Sequence, residues 1–159
     1  MTPEEVIKTA EIGYSLGFRT FAMQGGEDTS FTDDKFAAII SSIKTQFPEA
    51  AVTLSIGERS KESYQTLYDA GADHFLITHE TINKKLYEKL HPKMSYENRI
   101  KSLFDLKDIG FQVGTGFMVG VPGQEIEDIA DDLLFIKELN PHMIGIGPFI
   151  PHKNTPLRD

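Results

Sequence analysis

The sequence contains no cysteine in 159 residues. It therefore offers no disulfide framework and no thiolate ligand for zinc or an iron–sulfur cluster. Basic residues are scarce too: 16 Lys+Arg stand against 24 Asp+Glu, a formal net charge of -8 with a pI near 5.1. A polyanion is held through a basic stripe, so no nucleic-acid partner is expected. No apolar run approaches the ~20 residues that span a bilayer. The chain opens on a helix-capping pattern, Thr2-Pro3-Glu4-Glu5, where a secretory leader has a charged start and an apolar core. The expectation is a cytoplasmic protein with no membrane partner. No lysine follows an apolar run to form a Schiff base, which disfavours a barrel lyase or aldolase. What is present, 40% hydrophobic and 25% charged residues, is the balance of a single core-forming domain.

The order of apolar and polar residues alternates helix and strand. Thr2 at the N-cap, Pro3 at the first helical position and Glu5 three residues after the cap start a helix that carries Val6, Ile7, Ala10 and Tyr14. Gly17 suits a left-handed helix end, and Phe18-Arg19-Thr20-Phe21-Ala22-Met23 then reads as a buried strand. Thr32-Asp33-Asp34 opens a helix through Phe36, Ile39, Ile40 and Ile43, followed by the run Ala50-Ala51-Val52-Thr53-Leu54. Ser60 opens the next helix, and His74-Phe75-Leu76-Ile77 follows it; a short helix over Leu86 to Leu90 stops at Pro92. Ser95 then caps a helix closed by Gly110, Phe111-Gln112-Val113-Gly114 begins a strand, and a helix over Glu125 to Leu139 leads to a last strand from His142 to Ile146.

Helix, glycine and strand recur at Leu16-Gly17-Phe18, Ala70-Gly71-Ala72 and Ile109-Gly110-Phe111, with loops too unequal for a solenoid. Strictly alternating elements with strands apolar on both faces imply a parallel sheet covered by helices. A doubly wound sheet or part of a (β/α)8 TIM barrel satisfies this pattern. A full barrel takes ~250 residues, so about five parallel strands with flanking helices amount to about five-eighths of one. Both sheet edges are then open, a liability in a complete fold. The expectation is one partial barrel domain over residues 1 to 159, an internal fragment of a longer protein, poorly stable or associating through its edges.

In parallel α/β folds ligands bind at the carboxyl ends of the strands. There the sequence is polar and glycine-rich: Gln24-Gly25-Gly26-Glu27-Asp28, Ser55-Ile56-Gly57-Glu58, Thr78-His79-Glu80-Thr81, Gly114-Thr115-Gly116 and Gly145-Ile146-Gly147-Pro148. Gly25-Gly26 lets main chain approach a ligand, and Glu27 adds a charge that can hold an ammonium group, although a bare Gly-Gly also makes an ordinary turn. Glu80 follows a buried run, where a carboxylate needs a partner such as a hydroxyl-rich ribose; an N-cap role before the next helix is the alternative. Arg99 brings a forked guanidinium able to reach a carboxylate, or is an ordinary surface arginine. Gly114-x-Gly116-x-x-x-Gly120 has one residue too many for a dinucleotide fingerprint. His79-Glu80 does not open a His-Glu-x-x-His zinc motif, because Asn83 stands at the second histidine position, and no metal site is expected from this chain's own side chains.

Several blocks run collinearly from about residue 17 to 157: Gly17-Phe18-Arg19-Thr20-Phe21 with Gln24-Gly25-Gly26-Glu27-Asp28; Thr53-Leu54-Ser55-Ile56-Gly57-Glu58; His79-Glu80-Thr81 with Leu86-Tyr87-Glu88-Lys89-Leu90-His91-Pro92; Glu97-Asn98-Arg99; Gly116-Phe117-Met118-Val119-Gly120-Val121-Pro122-Gly123-Gln124; and Met143-Ile144-Gly145-Ile146-Gly147-Pro148-Phe149-Ile150-Pro151-His152. In these blocks the sequence resembles the radical S-adenosylmethionine (SAM) enzymes, in particular the FeFe-hydrogenase maturase HydE group with its relatives biotin synthase and methylornithine synthase. The resemblance implies a (β/α)8 barrel and a 4Fe-4S cluster, held by a three-cysteine loop after the first strand, that cleaves SAM to a 5′-deoxyadenosyl radical. It implies that Gly25, Gly26 and Glu27 hold the methionine amine of SAM, Glu80 the ribose side and Arg99 the carboxylate, with Met118 and Ile150 packed around the nucleoside. Thr53, Ser55, Thr78 and Thr115 are implied to face the small-molecule substrate, in this group an iron-bound, cysteine-derived precursor of the hydrogenase active site. Other hydrogenase maturation proteins are the partners implied.

Two departures stand out. The cluster loop with the first strand, and the last two strands, have no counterpart, so this chain alone is expected to hold neither cluster nor SAM well. Thr78 occupies the position where the maturase group implies an arginine on a substrate carboxylate. A biotin synthase-like or methylornithine synthase-like enzyme, or a degenerate paralogue serving as a scaffold, are the alternatives.

Overall fold

The computed structural model describes residues 1–28 and 30–157. In chain order the elements are α1 (Pro3–Ser15), β1 (Thr20–Gln24), α2 (Asp33–Gln46), β2 (Ala51–Ser55), α3 (Lys61–Asp69), β3 (His74–Leu76), α4 (Lys84–Leu90), α5 (Tyr96–Ile109), β4 (Gln112–Val119), α6 (Ile126–Leu139) and β5 (Met143–Pro148). The local chemistry behaves as the sequence implies. Thr2 and Glu5 close a capping box at α1, and Ser60 and Ser95 accept from the third residue of α3 and α5. The three helix-closing glycines take positive φ, 97° at Gly17, 106° at Gly71 and 116° at Gly110.

The strands form one sheet in the order β1-β2-β3-β4-β5, every pair parallel. A doubly wound sheet reverses its order at a switch point. This sheet never does, so the chain is an arc of a (β/α)8 barrel. Among the described residues the outer edges of β1 and β5 are unpaired.

Register divides the side chains into two faces. Met23, Leu54, Phe75 and Val113 lie side by side and pack under the helices, in a core that includes Ile39, Ile40, Tyr64 and Leu103. Fully burying each such side chain is worth roughly 1.5–3 kcal/mol. The opposite face carries Ala22, Thr53, His74 and Gln112 in one row and Gln24, Ser55, Leu76, Gly114 and Met143 in the next. That inner face is half open.

Two expectations are corrected. Gly114-Thr115-Gly116 and Gly145-Ile146-Gly147 do not follow their strands but lie inside β4 and β5, which run on to Val119 and Pro148. Apolar-run length underestimates such strands because glycine lets two backbones pair closely: a Cβ on Gly116 would stand 1.8 Å from the Gly145 carbonyl oxygen. Thr115, expected to face a substrate, lies on the helix-covered face with Val113 and Phe117, since side chains alternate along a strand.

Candidate functional site at the strand ends

The carboxyl ends of all five strands point the same way, and the loops that follow them form one mouth. Gly25 donates its N–H to the Ser55 carbonyl (3.0 Å), so the loop after β1 lies against the end of β2. Glu27 rests on Gly57 and accepts the Glu58 N–H at 3.2 Å. Gly57 has φ 80°, and a Cβ there would meet Glu27 Cγ at 2.3 Å, so glycine is required twice over. Gly25 and Gly26 are exposed, with no protein atom within 4 Å of where their side chains would start. Their backbone faces open space.

Glu58 and Arg99 continue the line. Arg99 is only 6% exposed; its Nε donates to Glu58 Oε1 at 2.5 Å, Nη1 to the Thr78 carbonyl at 2.7 Å, and Nη2 reaches Met94 Sδ at 3.6 Å. It is neither a surface arginine nor a free hand, since three of its five donors are engaged within the protein. The exposed Thr78 donates its hydroxyl to Glu80 Oε1 (2.5 Å), and the same oxygen lies 3.8 Å from His91 Nε2. The contacts thus run without a gap from Glu27 through Glu58, Arg99, Thr78 and Glu80 to His91, crossing the ends of β1, β2 and β3 and the start of α5.

Glu80 has φ 67°, rare for a residue with a side chain. Thr81 donates its N–H back to the His79 carbonyl at 2.8 Å, closing a three-residue turn with Glu80 at the apex, and Glu80 N–H reaches the Gly116 carbonyl. It does not cap α4; Asn83 does. The other expected residues sit around this line. Ser55 ends β2 half-buried on the inner face, and Thr53, one layer deeper, is 5% exposed with its hydroxyl 2.9 Å from His74 Nδ1. Met118 lies near the end of β4, half-buried, and Ile150 beyond β5 is 76% exposed. A cavity of about 600 Å³ lies along the free edge of β1 between α1 and α2, and meets the mouth at Gln24, Gly25, Gly26, Asp28 and Ile56.

Beneath the mouth, between the sheet and α6, a polar cluster went unread in the sequence. His79 and Asp132 are both 0% exposed, with His79 Nε2 3.7 Å from Asp132 Oδ1. Burial, helped by the charge of Arg99, pushes His79 down from 6.5 to about 4; burial pushes Asp132 up from 3.8 to about 6. His79 is therefore neutral near pH 7, and the pair is no salt bridge. The signal was present: Asp128 and Asp132 fall at helical spacing with Phe135 and Leu139 on the buried stripe of α6.

Residues 1–136 match the radical SAM superfamily. The chain belongs to that superfamily. It is 48% identical over 157 residues to the [FeFe] hydrogenase maturase subunit HydE of Thermotoga maritima, covering 99% of this chain and 44% of that protein. It is 26% identical to the 3-methylornithine synthase of Methanosarcina acetivorans, over 99% of this chain and 45% of the relative. The crystal structure of methylornithine synthase superposes with a TM-score of 0.90 at 25% identity, over 99% of this chain and 47% of that one. The hydrogenase maturase HydG gives 0.80 at 23% identity, which speaks for the fold alone. The chain thus spans less than half the length of the curated relatives it matches.

The two groups characteristic of radical SAM enzymes fit these residues unequally. A 4Fe-4S cluster finds no thiolate in the sequence and no metal-binding group of His, Asp and Glu among the described residues. SAM finds open backbone at Gly25-Gly26 and two carboxylates, Glu27 and Glu80, at opposite ends of one contact line.

Proposed function

We propose that this segment forms the SAM-facing half of the mouth of a HydE-like radical SAM enzyme, within a single partial barrel domain that the rest of a longer protein completes. The observation that carries the reading is the unbroken line from Glu27 to His91. Gly25-Gly26 and Glu27 receive the methionine ammonium, Glu80 accepts from the ribose hydroxyls, and Met118 and Ile150 give the nucleoside apolar walls. Arg99 keeps its remaining donors for the carboxylate and, through Glu58 and the Thr78 carbonyl, fixes the spacing between the two binding ends. SAM supplies, on reductive cleavage, a 5′-deoxyadenosyl radical. A 4Fe-4S cluster, whose cysteines are not among these residues, would supply the electron, and small-molecule chemistry on a cysteine-derived precursor, alongside other maturation proteins, follows from the likeness to HydE.

Thr78 favours one alternative for the substrate. Its hydroxyl is tied to Glu80, so the Thr78 side chain itself brings no cation to a substrate carboxylate, which suits the broader biotin synthase and methylornithine synthase chemistry. The test is anaerobic iron–sulfur reconstitution of the full natural gene product, reduction, and measurement of 5′-deoxyadenosine release. Turnover that falls at least about tenfold in Glu80→Gln, the worth of one charged hydrogen bond, supports the reading. A product with intact cysteines that releases no 5′-deoxyadenosine points to a scaffold instead.

A further inference from the structure

Glu80 stands at the apex of a strained turn, φ 67°, while the residues on either side, His79 and Thr81, are both 0% exposed. A positive φ costs a residue with a side chain about 1–2 kcal/mol, so something must hold the turn. The flanks are held from below. Thr115 Oγ1 accepts the His79 backbone N–H at 3.1 Å and lies 3.1 Å from His79 Nδ1. The hydroxyl can accept from the backbone while donating to Nδ1, the arrangement that puts the ring proton on Nε2, facing the Asp132 carboxylate. Asp132 Oδ1 in turn accepts the Ile82 N–H at 2.6 Å, and the Thr81 hydroxyl favours the ionised carboxylate. One helical turn away, Asp128 accepts from the Asn83 side chain at 2.7 Å. The turn is thus fastened to β4 and α6, Glu80 through its backbone N–H on the Gly116 carbonyl, and the Glu80 side chain is the part left to point into the mouth.

We infer that Thr115 and Asp132 are positioning residues: with His79 and Thr81 they form a buried mount that holds the strained turn and aims the Glu80 carboxylate into the mouth. This rests on Glu80 being the ribose-binding group. It explains why the helix-covered face of this sheet carries a His–Thr–Asp set where apolar packing would be simpler. Thr115 is then not a substrate contact but acts through Glu80.

Two measurements on the full natural gene product decide it. The first reads the mount without ligand: Thr115→Val, nearly isosteric, speeds amide hydrogen exchange at residues 79 to 82 by tenfold or more while the strand cores keep their protection. The second reads its consequence through binding of 5′-deoxyadenosine and of methionine as separate probes. Thr115→Val and Asp132→Ala each weaken 5′-deoxyadenosine about tenfold and leave methionine unchanged, and Asp132→Asn, which keeps an acceptor for Ile82, restores most of the affinity. In a Glu80→Gln background Thr115→Val adds nothing, because the group it aims is gone. Unchanged exchange at 79 to 82, or effects of Thr115→Val and Glu80→Gln that simply add, overturn the mount. Should Glu80→Gln bind 5′-deoxyadenosine as tightly as the parent, the ribose assignment fails instead, and the exchange data alone judge the mount.

Discussion

The buried pair under the mouth makes a sharp prediction about acid. An unfolded chain takes a proton on His79 near pH 6.5, the folded chain only near 4, so acidification through that window favours unfolding. Asp132 runs the other way: the folded chain takes its proton near 6 and the unfolded chain at 3.8, so the same acidification favours folding. At about 1.4 kcal/mol per pH unit, each displacement is worth about 3 kcal/mol, with opposite signs over nearly the same range. In the parent protein the two nearly cancel between pH 6.5 and 4. Asp132→Asn removes one of them and leaves the causes acting on His79, burial and Arg99, in place.

The variant should therefore lose about 2 to 3 kcal/mol relative to the parent between pH 7 and pH 4.5. His79→Gln should show the mirror image, gaining on the parent by a similar amount over the same acid range. Urea unfolding of the full natural gene product and both variants, at several pH values, reads the differences directly. Curves for Asp132→Asn that stay parallel to the parent from pH 7 to 4.5 would refute the reasoning, because they would mean that folding does not raise the Asp132 carboxyl; parallel curves for His79→Gln would mean that His79 does not resist protonation.

Other substitutions test the geometry of the mouth and sheet. Gly116→Ala drives a methyl against the Gly145 carbonyl 1.8 Å away and should cost about 3 kcal/mol, whereas Gly145→Ala, with nothing within 4 Å, should stay within about 1 kcal/mol by thermal or urea unfolding. Gly57→Ala meets both a positive φ and the Glu27 side chain, and should weaken methionine binding several-fold, while Gly26→Ala, with nothing within 4 Å, does less. With two unpaired parallel edges, the 159-residue chain expressed alone should associate or melt broadly on light scattering and calorimetry; a sharp, monomeric, cooperative transition would contradict this.

Sequence carried the architecture because its signals are local. Caps at Thr2, Ser60 and Ser95, and left-handed glycines at 17, 71 and 110, act within one or two helical turns, and they fix where each element starts and stops whatever surrounds it. The ends of β4 and β5 were misread because their extent depends on a contact between strands, Gly116 against Gly145, that no single run of residues displays. The site divides along the same line. Gly25, Glu27, Glu80 and Arg99 were legible by type at strand ends, but the partners that aim them were not: Glu58 is 41 residues from Arg99, and Asp132 is 50 from Ile82. Thr115 is the instructive error. Its position in a glycine-rich stretch suggested an exposed strand end, while its parity within β4, odd with Val113 and Phe117, turns it under the sheet. A polar residue on the core side of a strand is costly unless it is paired, so the pairing of Thr115 with the His79 backbone and ring is itself a sign that something beside it has to be held, and Glu80 is the strained residue next along the chain.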